Sequence, residues 1–151
     1  MDILDLIKKD HRQIETLFSE VETTDDTQKL YQCFNQLYEE ISLHTEVEEQ
    51  TFYPAIRDYC EDADELVDEA QGQHDEAKQL LEEIESLSPT SAEFQSKVRE
   101  LKQAIQHHVQ EEETEVFSQA RQCMSEAKRS QLGNEFEAVK SQLQSEMSIM
   151  G

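Results

Sequence analysis

Apolar residues recur along the chain at steps of three and four, the signature of amphipathic helices. The first stripe is Leu4, Ile7, His11, Ile14, Phe18 and Val21, which predicts a helix from about Ile3 to Glu22. TTDD at 23 to 26 breaks it and offers an N-cap for the next element. The second stripe, in a helix from about Thr27 to Tyr59, is Leu30, Phe34, Leu37, Ile41, His44, Glu48, Thr51/Phe52 and Ala55. Pro54 is expected to kink this helix or end its regular part. Asp62 to Glu65 reads as a capping box for a third helix, striped with Ala63, Val67, Ala70, His74, Ala77, Leu81 and Ile84. After SPTS at 88 to 91, a fourth helix carries Phe94, Val98, Leu101, Ile105, His108, Glu112 and Glu115/Val116. A fifth amphipathic segment, about 126 to 147, carries Leu132, Phe136, Val139, Leu143 and Met147, and Gly133 weakens the case for its first turns.

Four long segments with short connections predict an all-α, up-down-up-down four-helix bundle over about residues 3 to 123, with an additional C-terminal helix. The 151 residues suffice for a single domain with a modest core. Only three glycines and two prolines agree with a helical protein. The strong periodicity outweighs the tendency of low hydrophobicity and high charge toward disorder.

Each of the first four stripes contains one histidine. His44 and His108 are followed four residues later by Glu48 and Glu112. A step of four residues turns about 400°, so each pair shares a helix face. The pattern is duplicated: His11 and His74 are 63 residues apart, and His44 and His108, like Glu48 and Glu112, are 64 apart. HRQIETLFSEVE at 11 to 22 aligns with HDEAKQLLEEIE at 74 to 85, and HTEVEEQTFY at 44 to 53 with HVQEEETEVF at 108 to 117. Two helical hairpins are therefore expected to face one another about a pseudo-twofold axis. One histidine on an apolar face is ordinarily a hydrogen-bonded core residue. Four on four seams, with two carboxylates and a repeat, point to a metal site, because these groups would be costly to bury unpaired.

The inventory of four imidazoles and two carboxylates suits iron, and less well manganese; structural zinc more often uses cysteine. If each glutamate bridges two six-coordinate ions, the protein fills about eight of about twelve positions, and an oxo or hydroxo bridge adds about two more. The remaining openings suit dioxygen, nitric oxide or peroxide.

These residues resemble the hemerythrin-like, HHE cation-binding family. The carriers are His11, HTEVE at 44 to 48 followed by FYP, His74, and HVQEE at 108 to 112 followed by VF. The resemblance covers about residues 3 to 123 and implies a non-haem di-iron centre in a four-helix bundle. It further implies carrying, sensing or reacting with oxygen, iron regulation, or repair of nitrosative damage to iron centres. Oxygen carriers of the family have a further histidine one turn after the third-helix ligand; Lys78 stands there, which argues against a pure carrier. Ser118 replaces the proline of the first copy. Some relatives place an acid one turn before the second-helix histidine. Glu40 occupies that place, as a gate, an extra ligand or an ordinary exposed glutamate. Ferritin-like bundles use lone glutamates and Glu-x-x-His, the reverse of this pattern.

Several residues are set aside. His107 lies about 100° from His108, off the seam. Glu49 and Glu113 repeat as a second acid after each candidate ligand and are expected to be solvated or to support a ligand. Glu15, one turn after His11, is a reserve ligand, and Cys33 is a small core filler. Thirty-five acidic against 13 basic residues give a formal charge of −22, which disfavours nucleic acid and anionic membranes as partners. No segment reads as a membrane span or signal peptide. Three cysteines without a CxxC pair suggest reduced thiols in a cytoplasm. Three functions share this residue set: a small-ligand binder or sensor, a di-iron enzyme or iron-donating repair factor, and an iron-responsive regulatory module. No Ser-His-Asp set or phosphate loop is present.

Overall fold

The computed structural model describes residues 1–150, with side chains described through Met147. Helix α1 is Ile3–Thr23, α2 is Thr27–Tyr59, α3 is Asp64–Glu85 and α4 is Ala92–Glu111. A π-helical turn, Glu112–Val116, joins α4 to the short α5, Phe117–Cys123, and α6 spans Glu126–Met150. Asp2, Asp26 and Ser91 cap the first, second and fourth helices by accepting hydrogen bonds from the backbone N–H groups of Leu4, Gln28 and Phe94. The helices α1 and α2 pack as one hairpin and α3 and α4 as the other, with α6 laid across α1 and α2.

Three local expectations are corrected. The capping box at Asp62–Glu65 does not form: Asp62 adopts a left-handed φ of 63°, and the N-cap of α3 is Ala63, without a side-chain hydrogen bond. An aspartate tolerates that conformation better than most residues, so the tight α2–α3 connection uses it as a turn and not as a cap. Pro54 does not end α2, which stays helical to Tyr59. The fully buried Phe52, Tyr53 and Ile56 hold the segment against the core. Nor does Gly133 unsettle α6. A Cβ there would lie 1.8 Å from the Met1 carbonyl oxygen, so glycine permits the helix to pass the residues before α1 at close range. The π turn had no counterpart in the sequence reading.

Two apolar clusters fill the bundle. One, around Ile14, Phe18, Phe34, Leu37, Phe94 and Leu101, lies toward the α1–α2 and α3–α4 connections. The other, around Ile3, Ile7, Phe52, Ile56, Phe117 and Phe136, lies toward the opposite end, under α6. Truncating such buried phenylalanines to alanine costs about 3–5 kcal/mol each. Between the two clusters lies a layer of buried polar side chains.

Candidate metal centre

That layer contains His11, His44, Glu48, His74, His108 and Glu112, all buried. Their donor atoms form two overlapping groups. His11, His44, Glu48 and Glu112 make one; Glu48, His74, His108 and Glu112 make the other, with donors within each group no more than 4.8 Å apart. Both carboxylates belong to both groups, so each is placed where it could bridge two ions. The imidazoles pair alike on the two sides. His11 and His44 stand edge to face at 4.9 Å and 69°, and His74 and His108 at 4.7 Å and 66°.

Every Nδ1 is engaged. His44 donates to Asp10 at 2.9 Å and His108 to Gln73 Oε1 at 2.6 Å, partners that directly precede the lone histidines. His74 donates to Glu49 at 3.1 Å and His11 to Glu113 at 2.6 Å, so each hairpin lends the acid after its glutamate to the other hairpin's histidine. Carboxylate and amide oxygens accept only, which fixes the proton on Nδ1 and directs Nε2 into the centre.

The inner atoms fit a metal. The Nε2 atoms of His11 and His44, both oxygens of Glu48 and Oε1 of Glu112 are buried without a hydrogen-bond partner. His44 Nε2 does lie 2.7 Å from Glu48 Oε1, but as a close charged contact not aligned for a hydrogen bond. Burial is the largest influence on the His44 imidazole and lowers its pKa. The surrounding Glu48 and Asp10 carboxylates outweigh it and raise the pKa to about 10. His74 is raised to about 9, burial again opposing, with Glu48 and Glu49 prevailing. Glu112 is held well below the usual carboxylate range: burial opposes this, and His108 and His11 overcome it. Without an ion, the layer thus holds protons where the donor set would hold cations. Nitrogen and carboxylate donors in this proportion suit iron or manganese, and none of the three cysteines joins them.

Five further residues touch the layer without having been assigned to it from the sequence. Asp10 and Gln73 were legible in principle, because each precedes a lone histidine in both copies of the repeat. Tyr53 donates from its hydroxyl to Glu112 Oε2 at 2.5 Å and lies 3.1 Å from His74 Nε2. Its counterpart in the repeat, Phe117, has no hydroxyl. Lys140 of α6 donates to Asp10 at 2.6 Å, extending the chain His44–Asp10–Lys140 to the protein surface, and Phe136 packs edge to face on His44 at 6.5 Å. Neither residue carries a signal in the repeat.

The two reserve candidates lie elsewhere. Glu15 is half exposed and pairs with Arg12 at 2.6 Å. Glu40 lines a surface groove with Gln13, Thr16 and Gln36, apart from the buried layer. Position i+4 is turned about 40° from i, and on α1 that offset leads outward where on α2 and α4 it leads inward. His107 is exposed and pairs with Glu111 at 3.3 Å, off the seam as expected. Lys78 Nζ lies 3.3 Å from Glu49 Oε2, the same oxygen that accepts from His74 Nδ1. A cavity of about 10 Å³ adjoins the four histidines and is closed by Ile14, Ile41, Ala77 and Ile105, room for about one water-sized group.

The comparisons agree with this architecture. A model of the hemerythrin HHE cation binding domain matches residues 2–120. A Nostoc protein named DNA nickase is 37% identical over 146 residues, covering 95% of this chain and 40% of the relative, so the chain spans about two fifths of that protein. An uncharacterised hemerythrin-like protein of Schizosaccharomyces pombe is 26% identical over 139 residues, covering 91% of this chain and 68% of the relative. The crystal structure of an HHE cation binding domain-containing protein from Mycobacterium kansasii superposes with a TM-score of 0.84 over 94% of this chain and 86% of that one, at 19% identity, a likeness of fold. With the family model spanning most of the sequence, and histidines and glutamates that could hold cations gathered in one buried layer, the chain belongs to the hemerythrin HHE cation-binding domain family.

Proposed function

We propose that the buried layer holds two non-haem iron ions and binds dioxygen, nitric oxide or peroxide beside them. The observation that carries this reading is the sharing of Glu48 and Glu112 by two donor groups, each completed by its own pair of histidines. His11 and His44 would hold one ion, His74 and His108 the other, with an oxo or hydroxo bridge between them. When bound, the pair supplies one- and two-electron redox chemistry toward small ligands.

The chain's own residues prepare the site in three ways. The four Nδ1 hydrogen bonds orient the rings and make the Nε2 atoms better donors. The apolar residues closing the small cavity exclude bulk water and admit only small ligands. The Tyr53 hydroxyl oxygen lies 2.5 Å from Glu112 Oε2 and donates its proton toward it; burial first, then the neighbouring carboxylates, raise the phenol pKa well above its ordinary value, so this proton stays in place at neutral pH. An acid fixed on one side of the centre favours sensing or reaction over plain carriage, as does Lys78 in place of a further histidine. DNA cleavage, the activity in the Nostoc relative's name, is not part of this proposal: a net charge of −22 opposes a phosphate backbone. Among the described residues no helix is long and apolar enough to cross a membrane.

Anaerobic iron loading followed by metal analysis is expected to give about two irons per chain. Exposure to oxygen, nitric oxide and peroxide under optical and Mössbauer spectroscopy then distinguishes the ligands. A stoichiometry of one, or tight zinc with no iron uptake, defeats the proposal.

A further inference from the structure

Two cysteines lie together at the far end of the bundle. Cys60 caps the C-terminus of α2, and Cys123 is the last residue of α5, directly before the C-cap Met124. Both touch Gln119: Cys60 Sγ donates to its backbone oxygen at 3.5 Å, and Cys123 Sγ to its side-chain oxygen at 4.0 Å. Both belong to one apolar cluster, Cys60 buried within it and Cys123 partly buried against it. The third cysteine, Cys33, packs against the other cluster at the opposite end.

We propose that Cys60 and Cys123 are a peroxide-reactive dithiol, a redox site separate from the histidine–carboxylate layer. The two cysteines have unequal roles. Cys60 is buried out of reach of the oxidant, and burial first, then Cys123, pushes its thiol up to about 12, so it keeps its proton until it meets an oxidised neighbour. Cys123 is partly exposed at the α5–α6 connection and meets the oxidant. Its sulfur takes one oxygen from hydrogen peroxide as the O–O bond breaks and water leaves, giving a sulfenic acid. Cys60 sulfur then displaces that oxygen as a second water, and the S–S bond forms. Two thiols and one peroxide give one disulfide and two waters. The sulfurs supply the two electrons, and both thiol protons end in water. The bond would tie the end of α2 to the end of α5, about seven residues, or about 10 Å along the helix, beyond Tyr53.

The site does not depend on iron, and its test uses the full chain after treatment with a chelator. One equivalent of hydrogen peroxide is expected to remove two of the three titratable thiols and lower the intact mass by about 2 Da. Peptide mapping should join the Cys60 and Cys123 peptides and leave Cys33 free, with dithiothreitol restoring all three. The pair should react at least about tenfold faster than Cys33. Cys60→Ser should stop at a sulfenic acid on Cys123, about 16 Da heavier and trapped by dimedone, whereas Cys33→Ser should behave as the unaltered chain. Oxidation of Cys33 at the same rate, mass gain without a joined peptide, or a disulfide between two chains would overturn the proposal.

Discussion

The two hairpins present the same inner face to the centre and different outer surroundings. Their imidazole pairs agree within 0.2 Å in separation and 3° in angle. Outside that, α6 packs chiefly on the first hairpin, where Lys140 and Phe136 reach Asp10 and His44. On the second, His108 leans on the neutral Gln73, whose amide nitrogen donates to Glu111 at 2.6 Å. Tyr53 adds its hydroxyl to the second half only, at Glu112 and His74. The repeat therefore preserves the positions of the donors while leaving free the residues that tune them, so two ions held here would experience unlike fields.

The comparison breaks most severely if either half loses its inner histidine. His44→Ala and His108→Ala are each expected to abolish stable iron loading, while His107→Ala, exposed one residue away, leaves it nearly intact. Metal analysis of the three variants decides; loss with His107→Ala but not His108→Ala would contradict the register of α4.

Metal removal comes next. Iron-loaded protein should melt above the metal-free form at neutral pH, by about 2.7 kcal/mol at a hundredfold excess over the dissociation constant. The two forms should also slope oppositely with pH. In the metal-free protein His44 and His74 have raised values, about 10 and about 9. Their stabilisation is full below the unfolded histidine pKa of about 6.5 and is lost as pH rises through those raised values. Iron must displace the same protons, so loading should strengthen over that range and weaken toward pH 5. Thermal melts of both forms from pH 5 to 10 test this; equal midpoints at neutral pH despite confirmed loading would mean that the ions do not join the helices.

The outer surroundings can be compared by removing one hydrogen-bond acceptor at a time. Asp10→Ala should weaken iron binding about 10- to 100-fold, and Gln73→Ala, which removes a neutral acceptor, less. Iron titration against a competing chelator measures both. Equal losses would show that the charge on the Asp10 side has no influence.

How far such differences could be read from sequence follows from their range. The six candidate ligands were legible because each sits on an apolar stripe and the stripe occurs twice. Glu49 and Glu113 were visible as a repeated acid, but their crossed contacts depend on how the hairpins dock, which no local pattern encodes. Lys140 lies 130 residues from Asp10 on a helix outside the repeat. Tyr53 looked like a core aromatic because its ring is one; only its hydroxyl reaches the centre. Glu15 had the ligand spacing but is half exposed and paired with Arg12, and Glu40 lines a surface groove. The bundle itself was legible apart from the π turn, the α3 cap and the course of the helices at Pro54 and Gly133, all set by packing.

The smallest effects concern two helical glycines. Gly133→Ala drives a methyl into the Met1 carbonyl and should destabilise by about 1–3 kcal/mol. Gly72→Ala, in α3 with open space around it, should stabilise by about 0.5–1 kcal/mol. Urea denaturation of the two variants, expected to move in opposite directions, checks the close crossing of α6.

The exchange of acids between hairpins, Glu49 to His74 and Glu113 to His11, bears on the order of events during folding. Each hairpin forms from contacts near in sequence, the fast kind. A lone hairpin, however, offers two histidines and one inner glutamate, with its unpaired histidine lacking the acceptor that would orient it. The complete donor set exists only after the hairpins meet. An ion captured there would act as a latch on a finished assembly and not as a seed for it, and the rate of capture would report the rate of docking.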